Sequence, residues 1–183
     1  MITVSGPHGT GKSTYAKALA EALHLRYISA GEIFRNLAKQ QNLTIEELSR
    51  RAAQDQTIDH MLDDRTKIEA KRGGVVIDAQ LGAWMTRELV DVKVLLTAAD
   101  EVRFKRIAER EGIGLEEAQK QTEYRESIQR RRYKEYYGID VEDLSIYDIK
   151  IATNLYPIEE TTRIIIESVR NFLAQRRKTE RPK

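Results

Sequence analysis

Ile2-Thr3-Val4-Ser5-Gly6-Pro7-His8-Gly9-Thr10-Gly11-Lys12-Ser13 opens the chain and decides its fold. From Gly6 onward the residues satisfy G-x-x-x-x-G-K-[ST], the phosphate-binding P-loop. The pattern carries weight only between a strand and a helix. Ile2 to Ser5 is a short β-rich run, and Tyr15 to Leu23 is dense in strong helix formers. Gly6, Gly9 and Gly11 allow backbone angles and close approaches that a Cβ would block, so successive N–H groups can turn inward around phosphate oxygens. A helix starting near Lys12 adds the positive end of its dipole.

The motif assigns chemistry residue by residue. Lys12 is expected to bring its ammonium to the β- and γ-phosphates of ATP, the Ser13 hydroxyl to ligate Mg²⁺, and Thr14 to reach the α-phosphate. Pro7, His8 and Thr10 occupy the variable positions of the loop, and His8 is expected to face solvent rather than to catalyse.

Composition narrows the classes. Length of 183 residues suits one α/β domain. Net charge is +2, from 31 basic and 29 acidic residues, so no nucleic-acid or membrane surface is expected. Without cysteine the chain can form neither disulfides nor thiolate metal sites, which fits a reducing compartment. No run of 18 apolar residues exists. With the P-loop starting at residue 6 there is no room before it for a cleavable signal, and a cytoplasmic monomer is expected.

Outward from the P-loop, Leu25 to Ser29 reads as a second strand ending in a Ser29-Ala30-Gly31 loop. Helical spacing begins at Glu32, with Ile33, Phe34, Leu37 and Ala38 on one stripe and Arg35 off it. Thr44 and Glu47 form a capping box that opens a helix to Ala53, and Ile58 to Lys71 is helical again. Gly73-Gly74 turns into Val75-Val76-Ile77-Asp78, an apolar run suited to a strand buried on both faces, with Asp78 at the ligand crevice. Val92 to Thr97 is the next strand, with Thr97 able to cap a helix from Glu101 to Glu111. Leu115 to Tyr137 reads as a helix with little apolar face, suited to a solvent-bridging or mobile element. Ile149 to Ala152 alternates as an edge strand would, and Glu159 to Gln175 closes the pattern, followed by a basic tail from Arg176 expected to fray. Strands alternating with helices give an α/β fold: a five-stranded parallel sheet with helices on both faces. Two helical stretches, 32–72 and 115–145, interrupt that rhythm where lids and acceptor-binding pieces sit.

In several segments the chain resembles a nucleoside monophosphate kinase, and closely the archaeal-type cytidylate (CMP) kinases. The resemblance rests on Gly6 to Ser13, Ile28-Ser29-Ala30-Gly31 with Phe34-Arg35, Ala83-Trp84, Arg106 to Gly112, and Arg132-Tyr133-Lys134-Glu135-Tyr136-Tyr137-Gly138 running on to Asp148. It implies ATP- and Mg²⁺-dependent phosphorylation of CMP or dCMP by one P-loop kinase domain. The core would be 1–31, 73–114 and 146–183, with an NMP-binding insertion at 32–72 and a LID at 115–145. By the same resemblance Ser29 and Arg35 contact the acceptor nucleotide, and Asp78 holds Mg²⁺ through water. Arg125 and Arg132 act from the LID on the bridging phosphates, while Arg106 and Arg110 lie near ATP. The chain departs from the pattern at Ala79-Gln80, where such kinases usually carry Gly-Arg; Gln80 brings no charge to the acceptor phosphate.

Plainer readings compete. Arg35, Arg125 and Arg132 could be solvated surface charge, Arg106 and Arg110 could pair with Asp100 and Glu109, and Asp78 could be a simple strand-end carboxylate. Trp84 and the tyrosines from Tyr133 to Tyr137 read as packing groups. Other enzymes remain open, namely an adenylate or metabolite kinase, as does an ATP-binding regulatory or RNA-associated module.

Overall fold

The computed structural model describes residues 1–179. Five strands, β1 (Ile2–Ser5), β2 (Arg26–Ser29), β3 (Val75–Asp78), β4 (Val92–Thr97) and β5 (Ile149–Ala152), form one sheet in the order β2-β3-β1-β4-β5. Every pairing is parallel. The chain runs from β1 out to one edge, returns through β3, then crosses to β4 and the other edge. The P-loop therefore leaves β1 at the reversal of winding, where a crevice opens at the carboxyl ends of the strands.

Alternation along the strands sorts the two faces. Ile2, Val4, Val76, Val94 and Leu96 pack against Leu19 of α1 (Lys12–Ala22) and Ile165 and Val169 of α8 (Ile158–Thr179). Val75 and Ile77 point the other way, onto Ala70 of α4 (Gln56–Arg72). α5 (Gly82–Met85), a short turn that the sequence reading missed, covers Thr3 of β1. β3 is buried at every position, and β5 lies at an edge, both as the patterns imply.

Between β2 and β3 run α2 (Ala30–Gln40), α3 (Ile45–Ala52) and α4. The capping box is present: Thr44 accepts from the Glu47 amide while Glu47 accepts from the Thr44 amide. α2 begins at Ala30 and not Glu32, because the Ser29 hydroxyl accepts the Glu32 amide and makes the expected loop the helix start. The expected cap at Thr97 is absent; α6 (Asp100–Glu111) starts after Ala99 with no side-chain cap. At the carboxyl end of α4, Glu69 is buried and takes ion pairs from Arg26 of β2 and from Arg65 and Arg72. That clamp ties the helix to the sheet edge.

α7 (Leu115–Tyr137) corrects the expectation of a helix that packs on little. Ala118 joins Ile107 and Ala108 of α6 in an apolar cluster, while Thr122, Ile128 and Arg132 are also buried. Its remaining contacts are polar and long-range, which a hydrophobic period does not register. The expected fraying from Arg176 is also corrected. α8 continues to Thr179, and Arg176 donates to the carbonyls of Val90 and Asp91; residues 180–183 of the basic tail lie outside the described residues.

Candidate active site

The P-loop is shaped by glycine where nothing else fits. Gly6 has φ +145 and Gly9 φ +79. A Cβ at Gly6 would stand 2.1 Å from the Leu96 carbonyl oxygen, and one at Gly9 2.5 Å from the Arg103 carbonyl oxygen. The loop thus lies directly on β4 and α6, and α1 begins at Lys12 with its first amides facing the crevice.

Lys12 curls back, its Nζ donating to the carbonyls of Gly6 (2.8 Å) and Pro7 (2.9 Å). Burial pushes its ammonium down to about 8, against the opposing pull of Asp78 and Glu126. Next to it the Ser13 hydroxyl donates to Asp78 Oδ2 at 2.6 Å. The same carboxylate oxygen accepts from Tyr27 and Ser29, each at 3.1 Å. A hydroxyl and a carboxylate side by side at the foot of a phosphate loop fit the habit of Mg²⁺, which takes one or two protein oxygens and completes its shell with phosphate and water. Thr14 is exposed on α1, and Thr10 turns its hydroxyl onto the Pro7 carbonyl.

His8 does not face solvent as expected. Its amide donates to Glu126 Oε1 at 3.0 Å, its carbonyl accepts from Arg103 Nη1 at 2.7 Å, and its ring Nε2 lies 2.9 Å from Gln129 Oε1. Gln80 Nε2 approaches the same ring nitrogen at 3.3 Å, and Gln80 Oε1 accepts from the Tyr133 hydroxyl. Burial, then the charges of Arg125 and Lys12, hold the His8 ring well below its usual range and keep it neutral. The shorter contact places its proton on Nε2, donated to Gln129. Gln80 thus stands between the P-loop and α7.

The arginines divide into held and free. Arg106 donates to Gly9, to the Thr153 hydroxyl and to the Thr153 carbonyl. Arg110 pairs with Glu111. Neither uses the expected partners Asp100 and Glu109. Arg132 is buried on Asp59 of α4, with a second bond to the Ser49 carbonyl, and so points toward α3 and α4 rather than toward the P-loop. Arg125 and Arg35, by contrast, make no hydrogen bond or ion pair with another described residue. Arg125 Nε is buried, and burial pushes its guanidinium down. Arg35 is exposed and lies over Gly31, where a Cβ would meet its Nη1 at 3.3 Å and Ser29 Oγ at 3.7 Å. One unpaired guanidinium therefore stands near His8, and another close to Ser29, whose hydroxyl bonds the Asp78 carboxylate.

Sequence reasoning missed three members of this site. Arg103, 5% exposed, binds Asp100, Glu126 and the His8 carbonyl together. Glu126 and Thr153 complete the scaffold; the Thr153 hydroxyl donates to the Thr10 carbonyl. Apart from Asp100, three positions from Arg103, these partners lie 23 to 143 positions apart, and no local motif marks them. The tyrosines expected as packing groups also bond: Tyr136 to the carbonyls of Ala52 and Ala53, and Tyr137 to Asp63.

Against known proteins, the family described as "AAA domain" matches residues 2–127. The chain is 47% identical over 175 residues to the cytidylate kinase of Staphylothermus marinus, covering 96% of this chain and 99% of that protein. It is 48% identical over 167 residues to the cytidylate kinase of Aeropyrum pernix, covering 91% and 97%. Among solved structures, a gluconokinase from Sinorhizobium meliloti superposes with a TM-score of 0.66 at 14% identity, over 98% of this chain and 97% of that one. A shikimate kinase from Acinetobacter baumannii gives 0.61 at 15%, over 93% and 92%. Those distant likenesses carry the fold alone. With a P-loop at the crevice of the sheet and near-full-length identity to these relatives, the chain belongs to the cytidylate kinase family of P-loop kinases.

Proposed function

We propose that the protein transfers the γ-phosphoryl group of ATP to CMP or dCMP, giving CDP or dCDP. The observation that carries this is the pair of unpartnered guanidiniums, Arg125 and Arg35, flanking a P-loop whose lysine has only backbone carbonyls to hold. A site for two polyanions needs cations not already neutralised by carboxylates. Phosphoryl transfer asks the protein mainly for alignment and charge neutralisation.

Lys12 would swing from the Gly6 and Pro7 carbonyls to the β- and γ-phosphates, and Thr14 would reach the α-phosphate. Arg106 and Arg110 would flank ATP, and Arg125 would meet the transferring group. Ser29, Arg35 and Gln80 would receive the acceptor, with Gln80 offering a neutral amide to its phosphate. Ser13 and Asp78 would hold Mg²⁺, which when bound neutralises charge across the β- and γ-phosphates. Arg132 contributes to transfer only after leaving Asp59. In this reading 32–72 is the NMP-binding insertion and 115–145 the LID, set on a core of 1–31, 73–114 and 146–183. The α7 contacts with the P-loop exclude water from the reacting phosphates. Balanced charge and the lack of cysteine support a cytoplasmic monomer acting on small nucleotides. Among the described residues no helix is long and apolar enough to cross a membrane.

The test is ADP release from ATP and Mg²⁺ with a panel of CMP, dCMP, AMP, UMP and non-nucleotide alcohols, repeated with Gln80→Arg. CMP or dCMP is expected to be the preferred acceptor, and the variant to lower the KM for CMP by several-fold with ATP affinity unchanged. Slow ATP hydrolysis that no acceptor stimulates would overturn the kinase reading.

A further inference from the structure

β2 reads Arg26-Tyr27-Ile28-Ser29, and side chains two apart on a strand share a face. Ser29 is in register with Asp78 of β3, and Tyr27 with Val76. Tyr27 therefore stands on the face of the sheet under α1, its ring packed against the cluster that holds Val76 and Leu19. Core packing accounts for the ring and asks nothing of the hydroxyl. That hydroxyl reaches Asp78 Oδ2 at 3.1 Å. Lys17 of α1 lies over the ring, its Nζ 5.2 Å from the centroid, and is itself tied to Glu32 of α2 at 2.9 Å.

Asp78 is 3% exposed, and its two oxygens are unequally served. Oδ2 accepts from Ser13, Tyr27 and Ser29, whereas Oδ1 accepts from no described residue. A carboxylate oxygen offers about two lone-pair sites, so three hydroxyls saturate Oδ2. The three donors are not equivalent. Ser13 is the one a metal would engage. Ser29 is shared, because its oxygen also accepts the Glu32 amide and caps α2. Tyr27 comes from within the core, on a ring that packing and Lys17 keep in place.

We infer that Tyr27 is a positioning residue for the Mg²⁺ carboxylate: its hydroxyl fixes Asp78 Oδ2, which leaves Oδ1 to the metal or its water. The inference rests on the reading of Ser13 and Asp78 as the metal-holding pair. When Ser13 gives its oxygen to Mg²⁺, Oδ2 still has Tyr27 and Ser29, and the carboxylate keeps its orientation. With phenylalanine at position 27 only Ser29 would remain to restrain it, and the group could turn about its Cβ–Cγ bond and exchange its oxygens. A group that hydrogen-bonds a metal-holding side chain from behind is commonly worth about 10–100-fold in metal affinity or activity.

The experiment takes Mn²⁺, whose EPR signal reports the free ion, as the probe in place of Mg²⁺. It is titrated into wild type and Tyr27→Phe with a non-hydrolysable ATP analogue bound. Phenylalanine fills the same space and keeps the ring's packing, so the variant is expected to melt close to wild type without metal. Its Mn²⁺ affinity is expected to fall about tenfold or more, while affinity for the analogue in EDTA stays within about twofold. In steady state the lost kcat should return with excess Mg²⁺, and the KM for CMP should change little. Ser29→Ala is not the deciding variant, because it also uncaps α2. An Mn²⁺ affinity equal in the two proteins, or one that falls in step with metal-free binding of the analogue, overturns the assignment and leaves the Tyr27 hydroxyl a structural bond. A wild type that holds Mn²⁺ no better than the analogue alone does overturns the metal role of Asp78, and this inference with it. A wild type inactive on every nucleotide overturns the kinase reading itself.

Discussion

Arg132→Ala would strip the buried Asp59 of its counter-charge and remove the bond to the Ser49 carbonyl. The side chains of Arg132 and Asp59 are 4% and 7% exposed, so solvent cannot replace what is lost. Breaking such a pair from one side costs roughly 3–5 kcal/mol. In a chain of 183 residues each kcal/mol moves Tm by about 2–4 °C, so the variant should melt roughly 6–20 °C below wild type at pH 7.5. Acid should shrink that gap. Burial already lifts Asp59 to about 6 from an ordinary 3.8, with Arg132 opposing the rise. A carboxyl raised in the folded state gives stability that is complete below the unfolded value and lost as pH climbs through the folded one. Deleting Arg132 raises the folded value further, so at pH 5 Asp59 takes a proton and the stranded charge disappears. Adding Asp59→Asn to Arg132→Ala should recover much of the loss at pH 7.5. Asp63, which burial also raises, is common to both proteins, so the difference between them is the readout. The assay is urea unfolding at pH 5 and pH 7.5. A gap equal at both pH values, or smaller than about 1 kcal/mol at pH 7.5, would show that Arg132 is not held by Asp59 and refute the placement.

Two shorter tests address the ATP side. Lys12 sits near 8 before any phosphate arrives, and it must carry a proton to hold one. Binding ATP therefore draws in a proton, and affinity should drop as pH rises through about 8; Lys12→Arg should flatten that limb in a calorimetric titration, and a limb preserved in the variant would point to another group. Thr153→Val removes a hydroxyl that accepts from Arg106 and donates to the Thr10 carbonyl. It should cost about 1 kcal/mol of stability and raise the KM for ATP more than the KM for CMP; a change confined to CMP would place Arg106 elsewhere.

Much of this molecule is legible in its sequence because the informative groups are neighbours along the chain. The P-loop, the Thr44–Glu47 box and the unbroken apolar run of β3 each express a local rule, and each forms as expected. α7 was misjudged for the converse reason. Its Glu126, Gln129 and Arg132 satisfy partners on the P-loop and on α4, and a polar contact across the fold leaves no period in the amino acids that make it. Thr97 fails as a cap because the chain runs on through Ala98 and Ala99 before α6 begins. Arg132 is expected by resemblance to act beside Arg125, yet Asp59 of α4 claims it.

Glu69 has a mechanical consequence. Tied to the rim of the sheet by Arg26 and braced within α4 by Arg65 and Arg72, it would let that end of α4 act as a pivot and the other end as an arm. Asp59 lies ten residues up that arm, about 15 Å along the axis. A tilt of roughly 10° about Glu69 would carry it through about 2.6 Å by that geometry, enough to part it from Arg132. Rotation of a single rod would then free Arg132 from its carboxylate.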